Sequence, residues 1–195
     1  WENIMVAECP LDKYAEGKFL ETLFKERNQS HQPFKALFNW LIKIKGEATM
    51  VFFCMDEEDV KTVISSPIST IISDSWVIAP NGGGKPHPRG YGSFPRVLGK
   101  YVREEKTLIL EEAIKKMTSL PANKIGFKNR GIIKEGYWAD IAIFNKNEVK
   151  DKATFENPHQ YPEGIYYVIV NGQIAVDNGK ITGLKPGKII KRQNI

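Results

Sequence analysis

Four side chains able to do chemistry stand close together in Ser69–Arg96, which reads STIISDSWVIAPNGGGKPHPRGYGSFPR. They are Asp74, His87, Arg89 and Arg96. Asp74 follows the apolar run Thr70-Ile71-Ile72, which has strand character. A loop rich in Gly and Pro then carries the imidazole and both guanidinium groups. A carboxylate at a strand's carboxyl end can take a proton and return it. Such strand ends are where barrel enzymes place their chemistry. A guanidinium on the following loop can grip a carboxylate with two parallel hydrogen bonds. Each residue also has a plain structural reading. An Asp often begins a turn by accepting backbone N–H groups, and Arg is common in solvated loops. On pattern alone the turn reading of Asp74 leads, and the two readings of Arg89 stand level.

The other groups of the stretch read as architecture. His87 lies between Pro86 and Pro88, where the backbone is stiff and extended. It can line a pocket or hold the loop by a hydrogen bond, and the second is favoured. Arg96 is expected to pin the loop to the helix that follows. Gly82-Gly83-Gly84 lacks the Lys-Ser/Thr pair that opens a helix after a phosphate cradle, so a mobile lid is the better reading.

The elements around this stretch alternate. Asn3–Cys9 has strand length, and Gly17–Arg27 places Phe19, Leu20, Leu23 and Phe24 at helical spacing. Asn28-Gln29-Ser30 is a stop. Pro33 then suits a first helical turn, and Phe34, Leu37, Phe38, Leu41 and Ile42 form a stripe that ends near Gly46. Thr49–Phe53 reads as a strand buried on both faces, which predicts a parallel sheet. Asp56 is a candidate cap for a helix over Glu57–Ile64, with the acids Asp56 to Asp59 at its positive end. With Thr70–Ile72 next, this is strand, helix, strand at βαβ spacing, an α/β layer or barrel. Helices are expected over Phe94–Glu104 and Leu110–Met117, with Thr107 in the capping region. From Gly126 onward short strands recur, at Ala139–Phe144, Ile165–Val170 and Gln173–Val176. Asn171-Gly172 is a two-residue hairpin signal. A boundary is expected near Asn123, with α/β chain before it and a small β domain after it.

The bulk composition excludes more than it selects. With 42% hydrophobic and 26% charged residues the chain matches a water-soluble domain. No apolar run is long enough to cross a membrane. The opening Trp1-Glu2-Asn3 has no charged region followed by an apolar core, so no signal peptide is expected within it. The net charge of +5 gathers partly in Lys185, Lys188, Lys191 and Arg192, a tail without the interleaved aromatics that nucleic-acid binding favours. Cys9 and Cys54 are expected as buried free thiols. His31, His87 and His159 are too far apart in sequence for a local zinc motif. His31 and His159 read as a helix-start and a loop residue.

Seven stretches together resemble the carboxyl-terminal third of the N-acyl-D-amino-acid deacylases, in the amidohydrolase superfamily. They are FFCMDEEDV (52–60), ISDS (72–75), HPRGYGSFPRVLGKYVRE (87–104), LEEAIKKMTSLPANKIGF (110–127), NRGIIKEGYWADIAIF (129–144), ATFENPHQYPEGI (153–165) and VNGQIAVDNGKITGLKPGKII (170–190). The resemblance runs from about residue 30 to the end. The HPR–YG–FPRVLG run makes it specific. The later RG–I–G–AD run is shared with dihydroorotases and hydantoinases.

The resemblance implies the last strands and helices of a TIM-like barrel over residues 1–122. It implies part of a small β-sandwich over 123–195. It implies zinc-dependent hydrolysis of the amide in an N-acyl-D-amino acid, in the cytoplasm, with no nucleic-acid or membrane partner. The family's His-x-His, Cys and two later His ligands would lie upstream of Trp1, so the chain alone would be inactive. Its open barrel edges would drive self-association or pairing with the missing amino-terminal part. Asp74 carries over as the catalytic acid–base and a possible metal ligand, beside a metal-activated water. Arg89 carries over as the carboxylate clamp, and His87 and Ser73 are taken as further substrate contacts. The family usually has Gly-Ser-Asp-Gly where this chain has Ile72-Ser73-Asp74-Ser75. The alternatives are a cyclic-amide hydrolase of the same superfamily, which the HPR–FPRVLG run disfavours, and a non-catalytic anion-binding module.

Overall fold

The computed structural model describes residues 1–78 and 82–191. Arg192 of the basic tail and residues 79–81 of the Gly/Pro loop lie outside the described residues. The chain divides into two compact units. The first comprises Trp1–Asp56, Ser75–Tyr91 and Ala153–Gln160, and the second Glu57–Asp74, Gly92–Lys152 and Tyr161–Ile195.

In the first unit, strand β1 (Ile4–Glu8) is buried on both faces. Its alternating side chains serve two clusters, as the two-residue period of a strand requires. Val6 joins Leu20, Leu23, Phe24, Trp40 and Ile44 from helices α1 (Leu20–Glu26) and α2 (Pro33–Lys43) and the turn after them. Met5 and Ala7 face Val51, Phe19, Phe53 and Phe155 on the other side. The expected punctuation is present. Asn28 takes a positive φ of 55° just past α1, and Pro33 opens α2. Between these elements Asp12 accepts from Arg27 at 2.7 Å and from the Trp40 indole at 2.8 Å. Burial alone would raise the Asp12 carboxyl, but those two hydrogen bonds outweigh it and hold it below its usual range.

Strand β2 (Thr49–Phe52) corrects one expectation. It pairs antiparallel with β1, Met5 opposite Val51, and only Val51 is buried. The apolar run suggested a strand covered on both faces, but Phe52 is 62% exposed. Cys54, expected inside, is exposed, while Cys9 is buried and its thiol is pushed up by that burial.

In the second unit, helix α3 (Glu57–Ser65) begins with Glu57, Glu58 and Asp59 in its first turn, where the helix dipole favours acids. The run Thr70–Ile72, expected as a strand, is not one: it joins no ladder among the described residues. Instead the Ile71 amide donates to the carbonyl of Lys116 at 3.1 Å, on helix α5 (Leu110–Met117). The Ile71 side chain packs with Val97, Tyr101, Leu108 and Ala113. A helix end has taken the hydrogen-bonding place of a neighbouring strand. All ladders among the described residues are antiparallel.

The stretch expected as one helix over Phe94–Glu104 starts earlier and changes type. Helix α4 runs over Arg89–Arg96 with Pro95 inside it, and a π-helix continues over Val97–Glu104. Pro95 has no N–H to give to the preceding turn, and wider turns follow it. Gly99 lets this segment close on the chain at Val149, where a Cβ would stand 2.8 Å from the Val149 oxygen. Arg103 donates to that same oxygen at 2.6 Å. Helix α5 is preceded by Ile109, and no side chain caps it, so Thr107 does not have the expected role. Helix α6 (Ser119–Ile125) follows and ends on Gly126 in the left-handed region.

A four-stranded antiparallel sheet completes the second unit, in the order β3 (Ile141–Phe144), β4 (Ile165–Val170), β5 (Gln173–Asp177) and β6 (Lys180–Ile181). Asn171 and Gly172 link β4 to β5 with φ of 49° and 81°, the two positive values that a type I′ hairpin needs. Arg130 pairs with Asp140 and donates to Asn171 at 2.8 Å, and the Asn171 amide donates to Asp140 at 2.8 Å. The RG, AD and NG signals of the sequence are therefore one structural knot at the sheet's end.

Candidate active site

Asp74 ends the extended segment that Ile71 anchors. Two residues, Ile72 and Ser73, separate a side chain buried in the core from an exposed carboxylate. The backbone at Asp74 takes a φ of 47°, in the left-handed region that a non-glycine residue seldom adopts. Ser73 beside it is half-buried, and Ile72 points outward. After Asp74 the Ser75 hydroxyl donates to the Trp76 carbonyl at 3.1 Å.

Arg89 does not sit in the loop as expected. It is the first residue of α4, and its side chain is exposed. The bond that organises this corner comes from His87, whose Nδ1 accepts the Arg89 backbone N–H at 3.1 Å. That bond fixes the ring proton on Nε2. The imidazole also meets Phe155 edge to face, with centroids 4.9 Å apart. Burial, and then the Arg89 charge, push the His87 pKa below its ordinary value, so the ring is held neutral. At Gly90 a Cβ would come within 2.7 Å of the Ser75 hydroxyl and 2.4 Å of the Ile78 methyl. The chain just past Asp74 thus lies against the residue just past Arg89. Asp74 itself belongs to the second unit, and His87 and Arg89 to the first.

The neighbouring residues hold this framework. His159 is more than an ordinary loop residue: it meets the Tyr91 hydroxyl at 3.1 Å through Nδ1 and the Gly84 carbonyl at 3.3 Å through Nε2. Its two flanking prolines in NPHQYP were the available sign of a built loop. The carboxyl end of the glycine run, expected as a lid, is pinned to β1. The Lys85 amide donates to Ala7 at 2.5 Å, and a Cβ at Gly84 would stand 2.9 Å from that same oxygen. Arg96 does not tie loop to helix but pairs with Asp151 at 3.0 Å. Glu57 takes hydrogen bonds from Lys100 at 2.5 Å and from the Tyr101 hydroxyl at 2.8 Å, and the Lys100 bond keeps its carboxyl below the usual range.

Among the described residues no three His, Cys, Asp or Glu side chains converge on one point. Cys9 is walled into the core of the first unit. The described donors therefore do not make a metal centre by themselves. No described helix is long and apolar enough to cross a membrane.

Comparison with known proteins identifies the family. The amidohydrolase family model matches residues 30–176. An N-acyl-D-aspartate deacylase of Alcaligenes xylosoxydans xylosoxydans is 40% identical over 73% of this chain and 28% of its own length. An N-acyl-D-glutamate deacylase of the same organism is 41% identical over 74% and 29%. A dihydroorotase of Lactobacillus gasseri matches only 45% of this chain, at 31% identity. The chain thus spans under a third of the curated deacylases it matches. The crystal structure of D-aminoacylase superposes with a TM-score of 0.81 over 93% of this chain and 36% of that one, at 34% identity. An N-acyl-D-glutamate deacylase from Bordetella bronchiseptica, complexed with zinc and a phosphonate mimic of the tetrahedral intermediate, gives 0.76 over 92% and 36%, at 31% identity. The family match covers three quarters of the sequence, and on it the chain belongs to the amidohydrolase family.

Proposed function

We propose that this chain serves a zinc-dependent hydrolase that cleaves the amide bond of N-acyl-D-amino acids, with Asp74 moving the proton and Arg89 holding the substrate's carboxylate. The observation that carries this reading is the length and level of the match. Two relatives named for N-acyl-D-aspartate and N-acyl-D-glutamate align at 40% and 41% identity over about three quarters of the chain. The dihydroorotase match covers less than half, so a cyclic-amide substrate ranks second.

The chemistry follows from the residue types. The attacking water must lose a proton and the leaving amine must gain one, and one exposed carboxylate serves both steps. The left-handed backbone at Asp74 supports this, because such backbone is costly and gathers at functional sites. Arg89 stands at the positive end of a helix, where a cation is disfavoured by roughly 0.3–1 kcal/mol. A bound carboxylate would offset that cost with charge-assisted bonds. Ser73 and His87 are the proposed further substrate contacts, and His87 in addition holds the Arg89 backbone through its Nδ1.

Zinc is proposed for the whole enzyme, with ligands from outside residues 1–195. In this reading residues 1–122 belong to the barrel and 123–195 to the β-sandwich, and the enzyme works in the cytoplasm. Pairing with the missing part of the barrel is supported by α2, whose Phe34, Phe38 and Ile42 are all more than 60% exposed along one face. The test is hydrolysis by the full-length enzyme of N-acetyl-D-amino acids, their L-enantiomers and dihydroorotate. Release of the free D-amino acid alone is expected. Turnover of dihydroorotate in its place would overturn the reading.

A further inference from the structure

Lys116 is the one buried charged side chain among the described residues, at 2% exposure. Its ammonium donates to three neutral oxygens of a single turn. These are the Ser66 carbonyl, the Ser69 carbonyl at 3.2 Å and the Ser69 hydroxyl at 2.9 Å. The Ser69 hydroxyl in turn donates to the Ser66 carbonyl at 2.9 Å. The backbone carbonyl of Lys116 accepts the Ile71 amide at 3.1 Å. One residue of α5 therefore grips residues 66–71 from both its side chain and its main chain.

That grip leads directly to Asp74. Thr70–Asp74 join no ladder among the described residues, so no neighbouring strand sets their register. Ile71 is fixed by the Lys116 carbonyl and by its own burial, and the acid follows three residues later. A buried ammonium is tolerated only when its protons find acceptors, and here three oxygens accept from its three donors. An apolar side chain of similar length would pack the same space without that desolvation cost. What it could not do is tie the Ser66–Ser69 turn to α5 by hydrogen bonds.

We propose that Lys116 is the positioning residue for Asp74, setting the register of the segment that presents the carboxylate. The proposal rests on the reading of Asp74 as the proton-transfer group. It predicts that loss of the ammonium displaces the acid without removing substrate binding. A displacement of about 1 Å at a reacting group can cost on the order of a hundredfold in rate.

The experiment uses the full-length enzyme, with Lys116→Met, Lys116→Arg and Asp74→Asn measured side by side. Lys116→Met is expected to lower kcat about a hundredfold while KM moves less than about twofold. Hydrogen exchange at the Ile71 amide should speed up, and Lys116→Arg should recover part of kcat. If Lys116→Met fails to fold, Ser69→Ala removes one acceptor and the same split is expected at smaller size. An inactive Asp74→Asn beside a Lys116→Met with parental kcat would overturn the positioning role alone. A fully active Asp74→Asn would overturn the reading of the acid, and the positioning role with it.

Discussion

The Nδ1 of His87 accepts the backbone N–H of Arg89 at 3.1 Å, so the imidazole fixes where the guanidinium's backbone begins its helix. Only the main chain of Arg89 is committed by this bond. Its exposed side chain is the proposed clamp for the substrate carboxylate. Arg89→Ala should raise KM for N-acyl-D-amino acids by about tenfold to a hundredfold, the scale of a charge-assisted pair of about 1.5–3 kcal/mol. KM for an acyl-amide lacking the carboxylate should stay unchanged. Steady-state kinetics on the two substrates decide it, and equal losses on both would reject the clamp.

His87 also gives the chain a pH dependence of known sign. Its pKa is lowered in the fold, so between that value and 6.5 the unfolded chain binds more protons than the folded one. Stability from this group is complete above about pH 6.5 and is lost as pH falls through the folded value. Urea midpoints of the parent should therefore drop between pH 7 and pH 5, and those of His87→Gln should drop less. Identical slopes would show that the ring is not held neutral by its surroundings.

Gly99 carries a prediction about stability. An added Cβ would meet the Val149 oxygen at 2.8 Å and the Lys150 Cα at 3.3 Å, both backbone atoms that cannot swing aside. Overpacking of this kind costs about 1–3 kcal/mol. The better helix propensity of Ala returns up to about 1 kcal/mol. Gly99→Ala should therefore lower the unfolding free energy by roughly 1–2 kcal/mol, read as a lower urea midpoint. A variant as stable as the parent would mean that the π-helix does not close on Val149.

Local signals in the sequence were legible where the physics is local. Pro33 at a helix start, Asn28 past a helix end and Asn171-Gly172 between strands each act through their own backbone, and each appears where its chemistry placed it. The parallel reading of Thr49–Phe53 did not hold, because an apolar run does not say which way its partner runs. Thr70–Ile72 found a helix carbonyl in place of a strand, a choice made by Lys116, 46 positions after Thr70. Arg130 and Asp140 stood in one family-like run and Asn171 in a separate hairpin signal, and the three side chains meet in one knot. Of the site, the sequence marked Asp74, His87 and Arg89 by type. It could not show that His87 spends its acceptor on a backbone amide, nor that Arg96 goes to Asp151. Those pairings depend on folded distances between segments.

The central claim is that Asp74 moves the proton in amide hydrolysis. The most direct measurement is kcat of Asp74→Asn in the full-length enzyme on an N-acyl-D-amino acid, with circular dichroism and urea midpoint to confirm the fold. Loss of a general acid–base typically costs about 10²–10⁴-fold. A fall of at least that size is expected, with the fold and its stability intact. Turnover near the parental rate would contradict it.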